Sequence, residues 1–244
     1  MNTEEQIEFS PEMENSENLQ IEDMVKPEAQ SINDYLFSIE SDMNDIIMDP
    51  ASSGYDSLET QDVVYGITFS VGMDPAHDTV LDLGAGIGEF YSYVERFTGT
   101  ALSKYIPVDN DANMLEILKF RYAADDTIKA LELDYSDFAY SHLGYNPEVV
   151  KNLQTLGNTE KIDWVVSCNT FDDTMTAEHI VTNISVWSSV AEKGAAFTFK
   201  AENTDLFVEV LATLLKNERF STRTIVRSDF IKNWYSIYIY NLRG

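Results

Sequence analysis

"VLDLGAGIGEF", residues 80–90, is a short apolar run from Val80 to Leu83 that breaks into alternating glycines at Gly84, Gly86 and Gly88. A few apolar residues bounded by a glycine turn read as a buried strand feeding a helix. In open parallel sheets that first strand-to-helix turn lies at the carboxyl ends of the strands, where ligands bind, and glycines there let the backbone come close to a ligand. A dinucleotide fingerprint has glycines at relative positions 1, 3 and 6 and sets a pyrophosphate on the helix N-terminus. Here the sixth position is Glu89. Asp82, two residues ahead of Gly84, is expected to turn its carboxylate toward the mouth of the site. A carboxylate there repels a pyrophosphate and attracts an ammonium group, so charge favours a cationic amino-acid nucleotide over a dinucleotide.

Outward from this turn the chain alternates. Strands are expected over 79–83, 103–108, 128–133, 162–167 and 195–199, with helices over 87–97, 111–123, 174–192 and 204–217. Such alternation implies a parallel sheet with helices on both faces. The C-terminus departs from it: "TRTIVRS" (222–228) and "WYSIYIYNL" (234–242) lie too close together for a crossover helix and are expected to pair antiparallel. The fold class is α/β, a Rossmann-like seven-stranded sheet, mostly parallel with an antiparallel C-terminal strand. Residues 135–160 read as a poorly patterned insertion. Ahead of the first strand, "ASSGYDS" (51–57) reads as a loop, and "LETQDVVYGITFSVGM", from Leu58, as a helix weakened at Gly66.

Residues 1–50 hold 14 acidic side chains against Lys26 alone, so half of the net charge of −26 lies in the first fifth of the chain. Residues 1–30 are polar and without periodicity, and cannot bury enough surface to offset ordering entropy; they are expected to form an acidic disordered tail. Over 31–50 the apolar residues Ile32, Tyr35, Leu36, Ile39, Met43, Ile46 and Ile47 recur at helical spacing between Ser31, with Asp34 three residues later, and Pro50. This amphipathic helix suits packing on the domain of residues 51–244, lidding a pocket, or docking a protein partner. No Lys/Arg-rich stretch occurs, which disfavours nucleic acid as a tightly held ligand. The apolar runs fall short of the roughly 20 residues that span a bilayer, and the acidic N-terminus lacks the pattern of a signal peptide, so a cytoplasmic protein without membrane attachment is expected. The single cysteine, Cys168, excludes an internal disulfide and a Cys-rich zinc site, and His77, His142 and His179 lack metal-binding spacing, so no metal is expected.

S-adenosylmethionine carries an ammonium and a sulfonium and no phosphate, the charge that Asp82 favours. On these residues the chain resembles the class I S-adenosylmethionine-dependent methyltransferases, over roughly Tyr55 to Leu242. "VLDLGAGIG" is similar to that family's first motif. The resemblance implies that Asp82, Gly84 and Gly86, with Ala85 and Gly88 of the same loop, line the methionine end of the cofactor. It implies that Asp109 of "VDND", 21 residues beyond Gly88 and followed by Asn110, accepts the ribose hydroxyls. In "LELDYSDF" it implies that Asp134, with Tyr135 beside it, lies near the adenine amino group. "GYDSLETQDVVYG" resembles a stretch that closes over the methionine carboxylate in some members. Those members often use an arginine there; this chain has Val63, Val64 and Tyr65, leaving Tyr55 and Gln61 to offer neutral hydrogen bonds.

The acceptor side is expected in "SCNTFDD", where Asn169, Phe171, Asp172 and Asp173 follow the fourth strand. "NTFD" lacks the two prolines of enzymes that methylate exocyclic base nitrogens, and Cys168 lacks the Pro-Cys context of cytosine C5 enzymes; it reads as a small buried residue. The resemblance implies methyl transfer to a small-molecule or protein acceptor, with Asp172 or Asp173 orienting it. The alternative is the same fold acting as a non-catalytic binding or assembly module through its acidic N-terminal segment.

Overall fold

The apolar run Thr79–Leu83 forms β1, the strand on which the sheet is built, in a computed structural model that describes residues 50–109, 111–128, 147–171, 174–202, 204–217, 220 and 223–241. The tail expected over 1–30 and, but for Pro50, the helix expected over 31–50 lie outside the described residues. A 3-10 turn, Pro50–Ser53, leads to α1 (Leu58–Phe69) and β1. Then come α2 (Glu89–Thr98), β2 (Lys104–Val108), α3 (Ala112–Arg121), α4 (Pro147–Thr159) and β3 (Trp164–Cys168). The chain continues through α5 (Ala177–Trp187), β4 (Gly194–Lys200), α6 (Thr204–Lys216), β5 (Thr224–Arg227) and β6 (Trp234–Tyr240).

The six described strands lie in the order β2-β1-β3-β4-β6-β5. β1 runs parallel to β2, with Val80 opposite Tyr105, and parallel to β3, with Val80 opposite Trp164. β3 and β4 are parallel, and β6 is antiparallel to both β4 and β5, as the short C-terminal connection requires. Beyond β2, Ile128 makes a single parallel bridge to Tyr105 where another strand was expected; residues 129–133 of that strand lie outside the described residues. Strand order reverses beside β1, since β2 lies on one side of it and β3 on the other. The crevice at the carboxyl ends of β1 and β3 is therefore the topological switch point, where open α/β sheets take their ligands.

Side chains alternate across β1. Leu81 and Leu83 enter a core with Leu153 of α4, Ile180, Ile184 and Trp187 of α5, and Phe207, Val210 and Leu214 of α6. Val80 enters a second core, rich in aromatic rings, with Val64 and Tyr65 of α1, Phe90, Tyr91 and Val94 of α2, Tyr105 and Trp234. Asp82 shares the face of Val80, which puts a carboxylate on the aromatic side of the sheet. At the opposite pole, buried Asp78 accepts from the Trp164 indole at 2.9 Å and pairs with Lys193, while Asp163 accepts from Lys161 at 2.9 Å and from the Thr79 amide at 3.1 Å. Among the described residues no helix is long and apolar enough to cross a membrane.

Three expectations change. The region read as a poorly patterned insertion contains α4, which opens on Pro147, a residue suited to a first helical position, and buries Leu153 and Leu156. Gly157 and two asparagines dilute its pattern, although a Cβ at Gly157 would lie only 3.2 Å from Val190, so a small residue suits that packing. The helix from Leu58 stops at Phe69 instead of Met73, because Ser70 caps it and Gly72 follows at φ 100°. Phe171, placed at the acceptor side by sequence, is 3% exposed and stacks on Trp187 with ring centroids 5.6 Å apart. It anchors the segment after β3 in the core. Phe171→Ala is expected to destabilise the protein by about 3–5 kcal/mol, read as a lowered midpoint in urea denaturation.

Candidate functional site

The glycine turn is built from left-handed backbone: φ is 75° at Gly84, 55° at Gly86 and 80° at Gly88. The amides of Gly84 and Ala85 both donate to the Val108 carbonyl, at 2.7 and 3.0 Å, which lashes the turn to the end of β2. The Gly86 amide donates to Asp109 Oδ2 at 2.6 Å, and Asp109 Oδ1 accepts from the Asp111 amide at 2.9 Å. The two features chosen from sequence, the glycine loop and the acid after the second strand, are thus in direct contact. Across the crevice, a Cβ on Gly84 would come 2.3 Å from Thr170 Oγ1, whose hydroxyl donates to the Leu83 carbonyl at 2.8 Å. Only glycine allows that approach at that backbone angle.

Gly88 caps α2, and its carbonyl accepts from the Tyr122 hydroxyl at 2.9 Å. Arg121 donates to the Ile87 carbonyl at 3.3 Å and pairs with Glu89. The residue that departs from the dinucleotide pattern is therefore half of an ion pair that fastens α3 to the start of α2.

Asp82 does not face an open mouth. It is 2% exposed, with Oδ2 accepting from the Tyr105 hydroxyl and Oδ1 buried without a hydrogen-bond partner among the described residues. Burial pushes its carboxyl up to about 7; the Tyr105 hydrogen bond works against that shift and the charge of Asp109 adds to it. Burial also raises the phenols of Tyr55, Tyr65 and Tyr105 and the Cys168 thiol, each of which feels the Asp82 charge. Cys168 is thus a neutral thiol, donating to Thr68 Oγ1 at 3.4 Å, in no state to act as a nucleophile.

The segment ahead of α1 covers the crevice from the β3 side. Tyr55 stacks on Trp234 at 5.5 Å between centroids and meets Tyr65 edge-on at 5.6 Å, while Gln61 donates to the Tyr65 hydroxyl at 3.3 Å. Asn169 sits at φ 60°, an uncommon conformation for a residue with a side chain. Its amide donates to the Thr198 carbonyl at 2.6 Å and its Nδ2 to the Gly54 carbonyl at 3.1 Å. The structure therefore gathers Tyr55, Gln61, Asp82, the loop Gly84 to Gly88, Asp109 and Asn169 around the carboxyl ends of β1, β2 and β3. Asn110, Asp134, Tyr135, Asp172 and Asp173 lie outside the described residues. Sequence reading missed Tyr105, Tyr65 and Thr170. Tyr105 was legible as a strand residue, but its place beside Asp82 depends on the β1–β2 register.

A strand order that reverses beside β1 and closes on an antiparallel hairpin defines a Rossmann-like α/β fold. No family model and no curated relative matches the sequence. Solved structures do. One is a SAM-dependent methyltransferase from Aquifex aeolicus, 15% identical over 79% of this chain and 98% of that one, with a TM-score of 0.47. Another is magnesium protoporphyrin IX methyltransferase from Synechocystis with bound S-adenosylhomocysteine, 14% identical over 85% of this chain and 96% of that one, TM-score 0.48. A third is a SAM-dependent O-methyltransferase from Thermotoga maritima, 13% identical over 88% of this chain and 72% of that one, TM-score 0.49. It is the strand order and register, not these likenesses, that define the fold.

The buried acid has a measurable signature. An unfolded aspartate loses its proton near 3.9, whereas Asp82 in the native state holds it to about 7. Between these values the unfolded state gives up the proton first, so this group's contribution to stability falls as pH rises through the window and is flat above it. Asp82→Asn has no proton to lose. Its melting temperature relative to wild type should therefore climb by several degrees between about pH 5 and pH 8. A constant difference would contradict the assignment.

Proposed function

We propose that the protein transfers a methyl group from S-adenosylmethionine to a small-molecule or protein acceptor. The observation that carries this reading is the buried Oδ1 of Asp82 at the topological switch point, which has no hydrogen-bond partner among the described residues, next to a glycine turn that is tied to a second carboxylate, Asp109. A buried carboxylate oxygen without a donor fits a cationic amine, and a turn without side chains fits a closely held ligand. Two carboxylates flanking the turn do not fit a pyrophosphate.

In this reading Asp82 takes the ammonium, the backbone of Gly84, Ala85, Gly86 and Gly88 lines the methionine end, and Asp109 with Asn110 takes the ribose hydroxyls. Asp134 and Tyr135 lie toward the adenine. Tyr55 and Gln61 stand on the side of the methionine carboxylate as neutral polar groups. When bound, the cofactor supplies an electrophilic methyl on a sulfonium. An in-line displacement on such a methyl draws most of its rate from alignment, and needs a base only where the nucleophile must lose a proton. Asn169, Asp172 and Asp173 stand on the acceptor side, with Asp172 or Asp173 orienting the acceptor. The absence of Lys/Arg-rich stretches from the sequence supports an acceptor other than nucleic acid, and the single cysteine suits a cytoplasmic setting.

A second reading, a non-catalytic binding or assembly module, is favoured by the hydrogen bond that already occupies Asn169 Nδ2 and by the acidic charge of residues 1–50. Calorimetric titration separates the two. S-adenosylmethionine and S-adenosylhomocysteine are expected to bind where NAD does not, and Asp109→Ala should weaken both at least about tenfold. No binding of either sulfur nucleotide at millimolar concentration would overturn methyl transfer. Deletion of residues 1–50 should abolish co-purification with a partner if the chain is an assembly module; unchanged association would count against that role.

A further inference from the structure

Asp82 is an acid enclosed by groups that cannot balance its charge. Tyr105 faces it from β2 and Tyr65 from α1; Tyr55 faces it from the segment ahead of α1, Cys168 from the end of β3, and Asp109 from beyond β2. These are three phenols, a thiol and a second carboxylate. Glu89, at the start of α2, reaches Tyr65 with its charge but is paired with Arg121. An ionised carboxylate in such surroundings is costly unless a cation joins it. One of its oxygens already holds a hydrogen bond and the other has none among the described residues, so protonation removes the buried charge but leaves Oδ1 open to a cationic donor.

Building on the proposed nucleotide site, we propose that the amine of the ligand enters in exchange for a proton: ionised Asp82 is the form that binds, its Oδ1 takes the ammonium, and the displaced proton leaves to solvent. The exchange replaces an O–H with an N–H donor and puts a positive charge beside the one negative charge created. It makes the affinity for the amino-acid nucleotide, and not for the nucleoside part alone, rise with pH across the neutral range.

The size of the effect follows from the fraction of acid already ionised. With the carboxyl midpoint at about 7, roughly a tenth of the empty protein is in the binding form at about pH 6 and about half at pH 7, a gain of about fivefold in apparent affinity. An α-amine keeps its proton up to at least about 7.7, so the window below that isolates the protein group.

The test is isothermal calorimetry on the full chain at about pH 6 and pH 7, in two buffers of different ionisation enthalpy. S-adenosylhomocysteine is one probe, and 5′-methylthioadenosine, which lacks the amino-acid moiety, is the other. The expected result is an S-adenosylhomocysteine affinity about fivefold higher at the upper pH, with close to one proton released per ligand at the lower pH, while methylthioadenosine binds equally at both. Tyr105→Phe, which removes the donor that favours the ionised acid, should move the rise to higher pH, and Asp82→Asn should flatten it. A pH-independent S-adenosylhomocysteine affinity without proton release would overturn the exchange while leaving the nucleotide site standing. So would a rise that survives in Asp82→Asn. Failure of both nucleosides to bind at any pH would overturn the site itself.

Discussion

Two backbone amides converge on one carbonyl: Gly84 and Ala85 both donate to the oxygen of Val108, and the ligand-facing edge of the sheet hangs from that lash. It brings the end of β1 to the end of β2, so the next amide, Gly86, meets Asp109 and the following glycine starts α2. A side chain at Gly84 would strike Thr170, and the approach of the β3 end would be lost with it. The glycines thus serve chain geometry on one side and leave bare backbone at the switch point on the other. One turn satisfies both because left-handed backbone points its amides inward while leaving its outer surface bare.

Much of this was legible in the sequence because it depends on local rules. The apolar run at 79–83, the glycine turn, most of the alternation of strands and helices and the closely spaced C-terminal strands follow from spacing or turn chemistry, whereas of the strand expected over 128–133 the described residues hold only the Ile128 bridge. The place of Asp109 just past β2 was legible, but its hydrogen bond to the Gly86 amide was not. What was not legible depends on register and on which face of the sheet is aromatic. Asp82 was correctly a residue of the strand end, but its burial is fixed by Tyr105 and by tyrosines from the chain ahead of β1, neighbours that no local pattern names. Phe171 stood in a polar stretch and looked available; its stacking on Trp187 comes from a helix that packs from elsewhere. α4 escaped notice because Gly157 and asparagines weaken an apolar period that tertiary packing nevertheless fulfils.

Among the described residues, Arg121 beside the turn is paired with Glu89, and Lys200 at the end of β4 reaches Asp56 at 3.4 Å and Glu202 at 3.0 Å. The centre of the crevice is left to phenols, an acid and backbone. Such a lining selects by charge of one sign, because an anion entering it would meet Asp82 and Asp109 without compensation, whereas a cation would relieve both.

At the far pole, Asp78 and Asp163 bind the beginnings of β1, β3 and β4 into a polar knot with Lys161, Lys193 and the Trp164 indole. Strands fixed at their origins behave as cantilevers: turns and side chains at the opposite ends can change while the pairing of the strands is held from the root. The same division lets substitution at the carboxyl edge alter what is bound while the sheet, secured at its root, keeps its register.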